Sequence, residues 1–268
     1  MRRGKFKPIG KPALSKEVET QIRASINAGI YKPGDKLPSE RELVEQFKVS
    51  RVTVRDGLKN LQSFGLITIK RGMNAGAYVS DPSPRPIIQS IDNLIQMKKA
   101  SFAHLIETRL YIEPNVAGVA AAQRTPDDVT TLSRLLDQAE KALRRSRKEA
   151  RLINVRFHLE VCRITNNALL VFLSESITQV FSAMIIEKTG TKLSKEEIHK
   201  LIEDHRSILQ AIDDGDSTMA SELTKAHLIK TYYTYAKILP HARSDSVGER
   251  IKHLEKSSMY QSGVNIAG

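Results

Sequence analysis

The chain has one cysteine, Cys162, in 268 residues. A single thiol excludes an internal disulfide and fits a reducing, cytoplasmic setting. Cys162 itself reads as a small buried hydrophobe. No uninterrupted apolar run approaches the roughly 18 residues that a membrane helix needs, so no span is expected. The opening stretch MRRGKFKPIGKP is basic with no apolar segment behind it, so it does not read as a secretory signal. Acidic residues are also scarce, 30 against 42 Lys and Arg, a formal charge of +12. The imbalance is local. Residues 1–80 hold 16 basic and 7 acidic side chains, whereas the remainder holds 26 and 23. A polyanion-binding module joined to a nearly neutral one fits this distribution, although a basic face can equally be a solvated one. At roughly 150 residues per domain, two domains are expected.

What is present in the first third is a helix pattern followed by a hairpin. Leu14, Val18, Ile22 and Ile26 recur every four residues and predict a helix ending before YKPGDKLP. Ser39 with Glu42 forms a capping box that opens a second helix through Phe47. Ser50 is placed to cap a third, whose apolar face carries Val54, Leu58 and Leu61 and which Gly65 ends. LITIK then reads as a strand, RGMNAG as a turn and AYVS as a return strand. Opposite the apolar stripe of the third helix lie Arg51, Arg55 and Lys59, at i, i+4 and i+8. A helix with a basic polar face suits the DNA major groove, where guanidinium groups pair bidentately with guanine.

The stretch LPSERELVEQFKVSRVTVRDGLKNLQSFGLITIKRG resembles the DNA-binding domain of the GntR family of bacterial transcription regulators. The likeness extends over about 70 residues and implies a winged helix-turn-helix. It also implies DNA contacts from Arg41, Ser50, Arg51, Thr53 and Arg55, and a hairpin tip reaching the minor groove through Arg71, Gly72, Asn74 and Gly76. Gly57 departs from the family's usual alanine, and mid-helix glycine costs about 1 kcal/mol of helix stability. Asn74 stands where relatives often have glycine; asparagine tolerates the left-handed conformation such a turn can need.

The proline-rich SDPSPRPI leads into a region that is helical in period to about Leu239. The expected organisation is a DNA-binding domain over 1–80, with a basic arm at 1–11, and a linker over 81–89. An all-helical bundle follows over 90–240, then a polar tail over 241–268 without an apolar face. The fold class is therefore mainly α. Three segments, ETRLYIEPNVAGVAA, FHLEVCRITNNALL and EDHRSILQAIDDGDSTMA, resemble the effector-binding (FCD) domain of the FadR-type branch of the same family.

Many members of that branch hold a divalent metal through Asp-x-x-x-His and two later histidines, which correspond here to Asn154, His158, His205 and His227. Imidazole suits zinc, nickel or a similar ion. Asn154 replaces the usual aspartate. An amide brings no charge, so an ion here keeps its full positive charge and attracts an anionic ligand more strongly. The other histidines (His104, His199, His241 and His253) match nothing and read as surface residues. Arg109 precedes Glu113 by one helical turn and reads either as half of an ion pair or as a grip for an effector carboxylate.

The resemblance implies a homodimeric, ligand-responsive repressor, released from a double-stranded, pseudo-palindromic operator by a small carboxylate effector. Two alternatives stay open: a metal-free regulator binding an acyl-coenzyme A or another effector, and a metalloenzyme fused to a DNA-binding domain. No general base with a recognisable spacing supports the second, so no catalytic residue is assigned.

Overall fold

A computed structural model of the protein describes residues 14–189, 192–239 and 245–262. The chain divides into two compact units, residues 1–86 and 87–268. The expected basic arm, Pro240 and His241 lie outside the described residues.

The first unit contains α1 (Leu14–Asn27), α2 (Glu40–Phe47), α3 (Arg51–Ser63), β1 (Ile67–Lys70) and β2 (Gly76–Val79). The two strands pair antiparallel, Ile67 opposite Val79 and Lys70 opposite Gly76, and Lys36 adds a bridge to Tyr78. Val18, Ile22, Leu43, Val54, Leu58, Leu61 and Ile67 form the core that sets the three helices against the hairpin. Ser39 caps α2 with the reciprocal Glu42 contact, and Ser50 caps α3, as the sequence predicts. Gly57 is buried where α1 crosses α3. A Cβ there would stand 2.9 Å from Val18 Cγ1 and 3.0 Å from the Ser15 carbonyl oxygen. Close helix packing, rather than a softened helix, is what this glycine provides.

Among its described residues the second unit is all helical, with α4 (Arg85–Gln96) running into it, then α5 (Phe102–Gln123), α6 (Pro126–Arg145), α7 (Arg147–Ile164), α8 (Ala168–Thr189), α9 (Lys195–Asp214), α10 (Ser217–Ala236) and α11 (Asp245–Ser262). Capping boxes start α6 (Thr125 with Asp128) and α9 (Ser194 with Glu197), and Gly215 ends α9 in the left-handed conformation. Ser217 donates to the Gly118 carbonyl at 2.7 Å, where a Cβ on Gly118 would stand 3.1 Å from the Ser217 carbonyl oxygen. That pair brings α5 and α10 into close contact. One core cluster gathers Phe102, Ile106, Phe181, Ile185, Ile202 and Tyr232; a second gathers Ala117, Leu132, Phe157 and Ile212.

Two expectations need correction. The linker stops short of residue 89, because α4 begins at Arg85 with Pro86 in its first turn, where a missing N–H breaks no helical bond. The tail does not lack an apolar face. Val247 and Ile251 of α11 are fully buried, Leu254 packs beside them, and Arg250 pairs with Glu107 of α5. Helix α8 contains a 19-residue stretch, Ala168–Ile186, that is long and apolar enough to cross a membrane by length and composition, a test that the core helix of a soluble protein also passes.

Candidate DNA-binding and metal sites

At the start of α3, Ser50 Oγ accepts from the Thr53 amide at 3.1 Å and lies 2.8 Å from Thr53 Oγ1. The two hydroxyls thus secure the first turn of the helix. Arg51 and Arg55 project one turn apart and are largely exposed. Both turn toward Glu40 on α2. Arg51 Nε donates to Oε2 at 3.0 Å, and Arg55 Nε to Oε1 and Oε2 at 3.0 and 2.8 Å. Arg41, also on α2, pairs with Glu45 at 3.1 Å. At the hairpin tip Arg71, Gly72 and Asn74 are exposed and Gly76 is half-buried. The left-handed positions are Gly72 (φ +87°) and Gly76 (φ +148°). Asn74 is not among the positive-φ residues, so its tolerance for that conformation is not what this turn uses.

In the second unit the residues that the sequence groups together converge. His158 from α7, His205 from α9 and His227 from α10 are all buried. His205 Nε2 lies 3.0 Å from both His158 Nε2 and His227 Nε2. Each far ring nitrogen meets an acceptor. His158 Nδ1 is 2.8 Å from Glu113 Oε2, His205 Nδ1 is 2.8 Å from Asn154 Oδ1, and His227 Nδ1 is 3.4 Å from Asp204 Oδ2. An oxygen acceptor at Nδ1 places the ring proton there, leaving the Nε2 lone pair free. Three ring nitrogens then lie within 4.8 Å of one another, the His205 one 3.0 Å from each of the others, an arrangement that a cation between them would stabilise. Burial pushes all three imidazoles down, His158 to about 4 and His205 well below its ordinary value, so they are neutral at neutral pH, the form that binds metal. The trio could therefore hold a divalent ion, with a shell of oxygen acceptors orienting the rings. Asn154, expected among the ligands, has its amide oxygen engaged with the far nitrogen of His205.

Arg109 is buried and pairs with Glu113 through two bonds, Nε to Oε1 at 2.6 Å and Nη2 to Oε2 at 3.1 Å, with its guanidinium 4.5 Å from the Phe181 ring centre. Burial alone would raise the Glu113 carboxyl, but the Arg109 charge and the hydrogen bonds from His158 and Arg109 hold it well below the usual carboxylate range. The histidines themselves line a small cavity of about 20 Å³, together with Arg109, Arg151 and Asn154. Sequence reading missed Arg151. It is buried, donating from Nε to the Tyr235 hydroxyl at 3.3 Å and from Nη2 to the Ile185 carbonyl at 2.7 Å. The signal was its spacing. Arg151, Asn154 and His158 fall at i, i+3 and i+7 on one face of α7.

Residues 14–79 match the family described as bacterial regulatory proteins, gntR family, and residues 104–230 match the FCD domain. The chain belongs to the GntR family. Its FCD domain pairs with a winged helix-turn-helix, and its relatives carry regulator names. It is 32% identical to the Uxu operon regulator of Haemophilus influenzae, over 77% of this chain and 76% of that protein. It is 30% identical to the HTH-type transcriptional regulator LutR of Bacillus subtilis, over 76% of this chain and 92% of that one. It is also 30% identical to the transcriptional repressor NanR of Klebsiella aerogenes, over 83% and 85%. Among solved structures, Streptococcus agalactiae GntR matches with a TM-score of 0.60 at 24% identity, covering 81% of this chain and 98% of that one, and shares the fold. This GntR protein is thus a DNA-binding transcription regulator and not an enzyme. Its helix α11 lies beyond the part matched by the FCD domain.

Proposed function

We propose that this GntR regulator is a metal-dependent repressor acting on chromosomal DNA in the bacterial cytoplasm, released from its operator by a small organic acid. The observation that carries the reading is the set of three Nε2 atoms facing one another, each ring held from behind by an oxygen acceptor. In this reading His158, His205 and His227 hold a divalent ion such as zinc or nickel. Asn154 orients His205 and supplies no charge, so the ion attracts an anionic ligand to its open positions. Arg109 and Arg151 flank that space with guanidinium groups suited to carboxylate. The cavity of about 20 Å³ has room for an ion or a single water, so an organic acid at the metal requires the surrounding helices to move apart. Effector binding then favours an arrangement of the dimer whose two reading heads no longer match the operator's half-site spacing.

Metal content of the purified protein tests this reading. Wild type is expected to carry about one ion per chain, and His158→Ala to carry none. Asn154→Ala should weaken binding about 10–100-fold, the usual cost of removing an orienting partner. Asn154→Asp should tighten it. Metal retained at wild-type affinity in His158→Ala would sink the proposal.

A further inference from the structure

Glu40 is the acidic residue to which both Arg51 and Arg55 turn. It occupies the first position of α2, directly after the Ser39 cap, where a carboxylate is favoured by the helix N-terminus. Its two oxygens receive Arg51 and Arg55, which come from a different helix, 11 and 15 residues along the chain. An ordinary exposed ion pair contributes little and selects no geometry. This contact differs in two ways. One carboxylate gathers two guanidiniums, and all three hydrogen bonds use the Nε edge of its partners. Among the described residues no hydrogen bond takes the terminal Nη atoms of Arg51 or Arg55. A guanidinium held by Nε has lost freedom about its side-chain torsions, while its Nη atoms remain free to pair with the O6 and N7 of guanine.

We infer that Glu40 is a positioning residue for base recognition: it aims Arg51 and Arg55 and removes one unit of positive charge from the reading face, giving up affinity for arbitrary DNA in favour of sequence discrimination. A carboxylate that merely competed with DNA would weaken operator and unrelated duplexes alike. A carboxylate that aims the arginines strengthens the operator complex relative to the others, because the torsional freedom is already lost before binding. Its negative charge meanwhile opposes phosphate contacts wherever the protein lands.

The experiment uses the full-length protein and two duplexes of equal length and composition. One is selected from a random library by wild type, and the other is its scramble. Glu40→Gln keeps the shape and removes the charge, Glu40→Asp keeps the charge and shortens the reach, and Glu40→Ala removes both. For Glu40→Ala, affinity for the scrambled duplex is expected to rise and its salt slope to steepen by about one, while the ratio of selected to scrambled affinity falls about tenfold. In Glu40→Asp the ratio also falls, with the salt slope unchanged. In an Arg51→Ala/Arg55→Ala background, Glu40→Ala leaves the ratio where it was. Wild-type discrimination in Glu40→Asp overturns the positioning role. So does an equal rise on both duplexes in Glu40→Ala, or a fall in the ratio that persists without the arginines.

Discussion

Replacing Gly57 by alanine sets two effects against each other. Alanine is the better helix former by about 1 kcal/mol, yet its methyl group would press on Val18 and on the Ser15 carbonyl at 2.9 and 3.0 Å. Overpacking of this kind costs about 1–3 kcal/mol. Thermal unfolding should therefore show Gly57→Ala with a lower midpoint than wild type, and Val18→Ala in the same chain should relieve part of the loss. On the reading face, Arg55→Ala should weaken binding to a cognate duplex by about 1–3 kcal/mol, as measured by titration. Unchanged affinity would remove Arg55 from the base-contacting set. Arg51 and Arg55 were legible in the sequence because helical spacing places them opposite the apolar stripe. Glu40 was not, since its partners come from another helix. The three histidines carry no local pattern either; 47 and 22 residues separate His205 from the other two, and only the family resemblance grouped them. The hydrogen bond that turns Asn154 toward His205 crosses 51 residues and leaves no trace in spacing.

At the level of elements, caps and turns were the readable part. Ser39, Ser50, Thr125 and Ser194 each start a helix as their residue type dictates. The errors came from averaging over composition. In α11 the apolar residues Val247, Ile251 and Leu254 stand at i, i+4 and i+7, a helical stripe in an otherwise charged segment that reads as tail. In α8 serines, threonine, glutamine and Glu175 interrupt every apolar run, so the sequence shows a helix but no long run, although its mean hydropathy is high. Because α11 is held by burial, Ile251→Ala should cost about 2–5 kcal/mol. Calorimetry should place that loss in the unfolding of the effector domain and leave the DNA-binding domain unchanged.

For the whole molecule, the helical effector domain and its winged partner were both evident from sequence, and the charge division between them followed from counting. The partner surface was not. Helix α8 buries Val180, Phe181 and Ile185 in the core yet leaves Leu169 67% exposed. With residues 170–175 half-buried, the start of α8 is the surface to test for pairing with a second copy. Leu169→Arg should shift sedimentation toward the monomer and weaken operator binding, because a single head reads only a half-site. A dimer of wild-type strength in that variant would move the interface elsewhere.

The histidine cluster has one more consequence, and it concerns time. Helix α5 holds the ring from α7 through Glu113, α7 holds the ring from α9 through Asn154, and α9 holds the ring from α10 through Asp204. Each ring is steadied by a residue of the neighbouring helix, so moving any one helix disturbs the anchoring of another. An ion held there would be slowed in leaving by those contacts between helices. Its exchange would then keep pace with the slow breathing of the bundle, and a cell's brief swings in metal supply would pass before the regulator registered them.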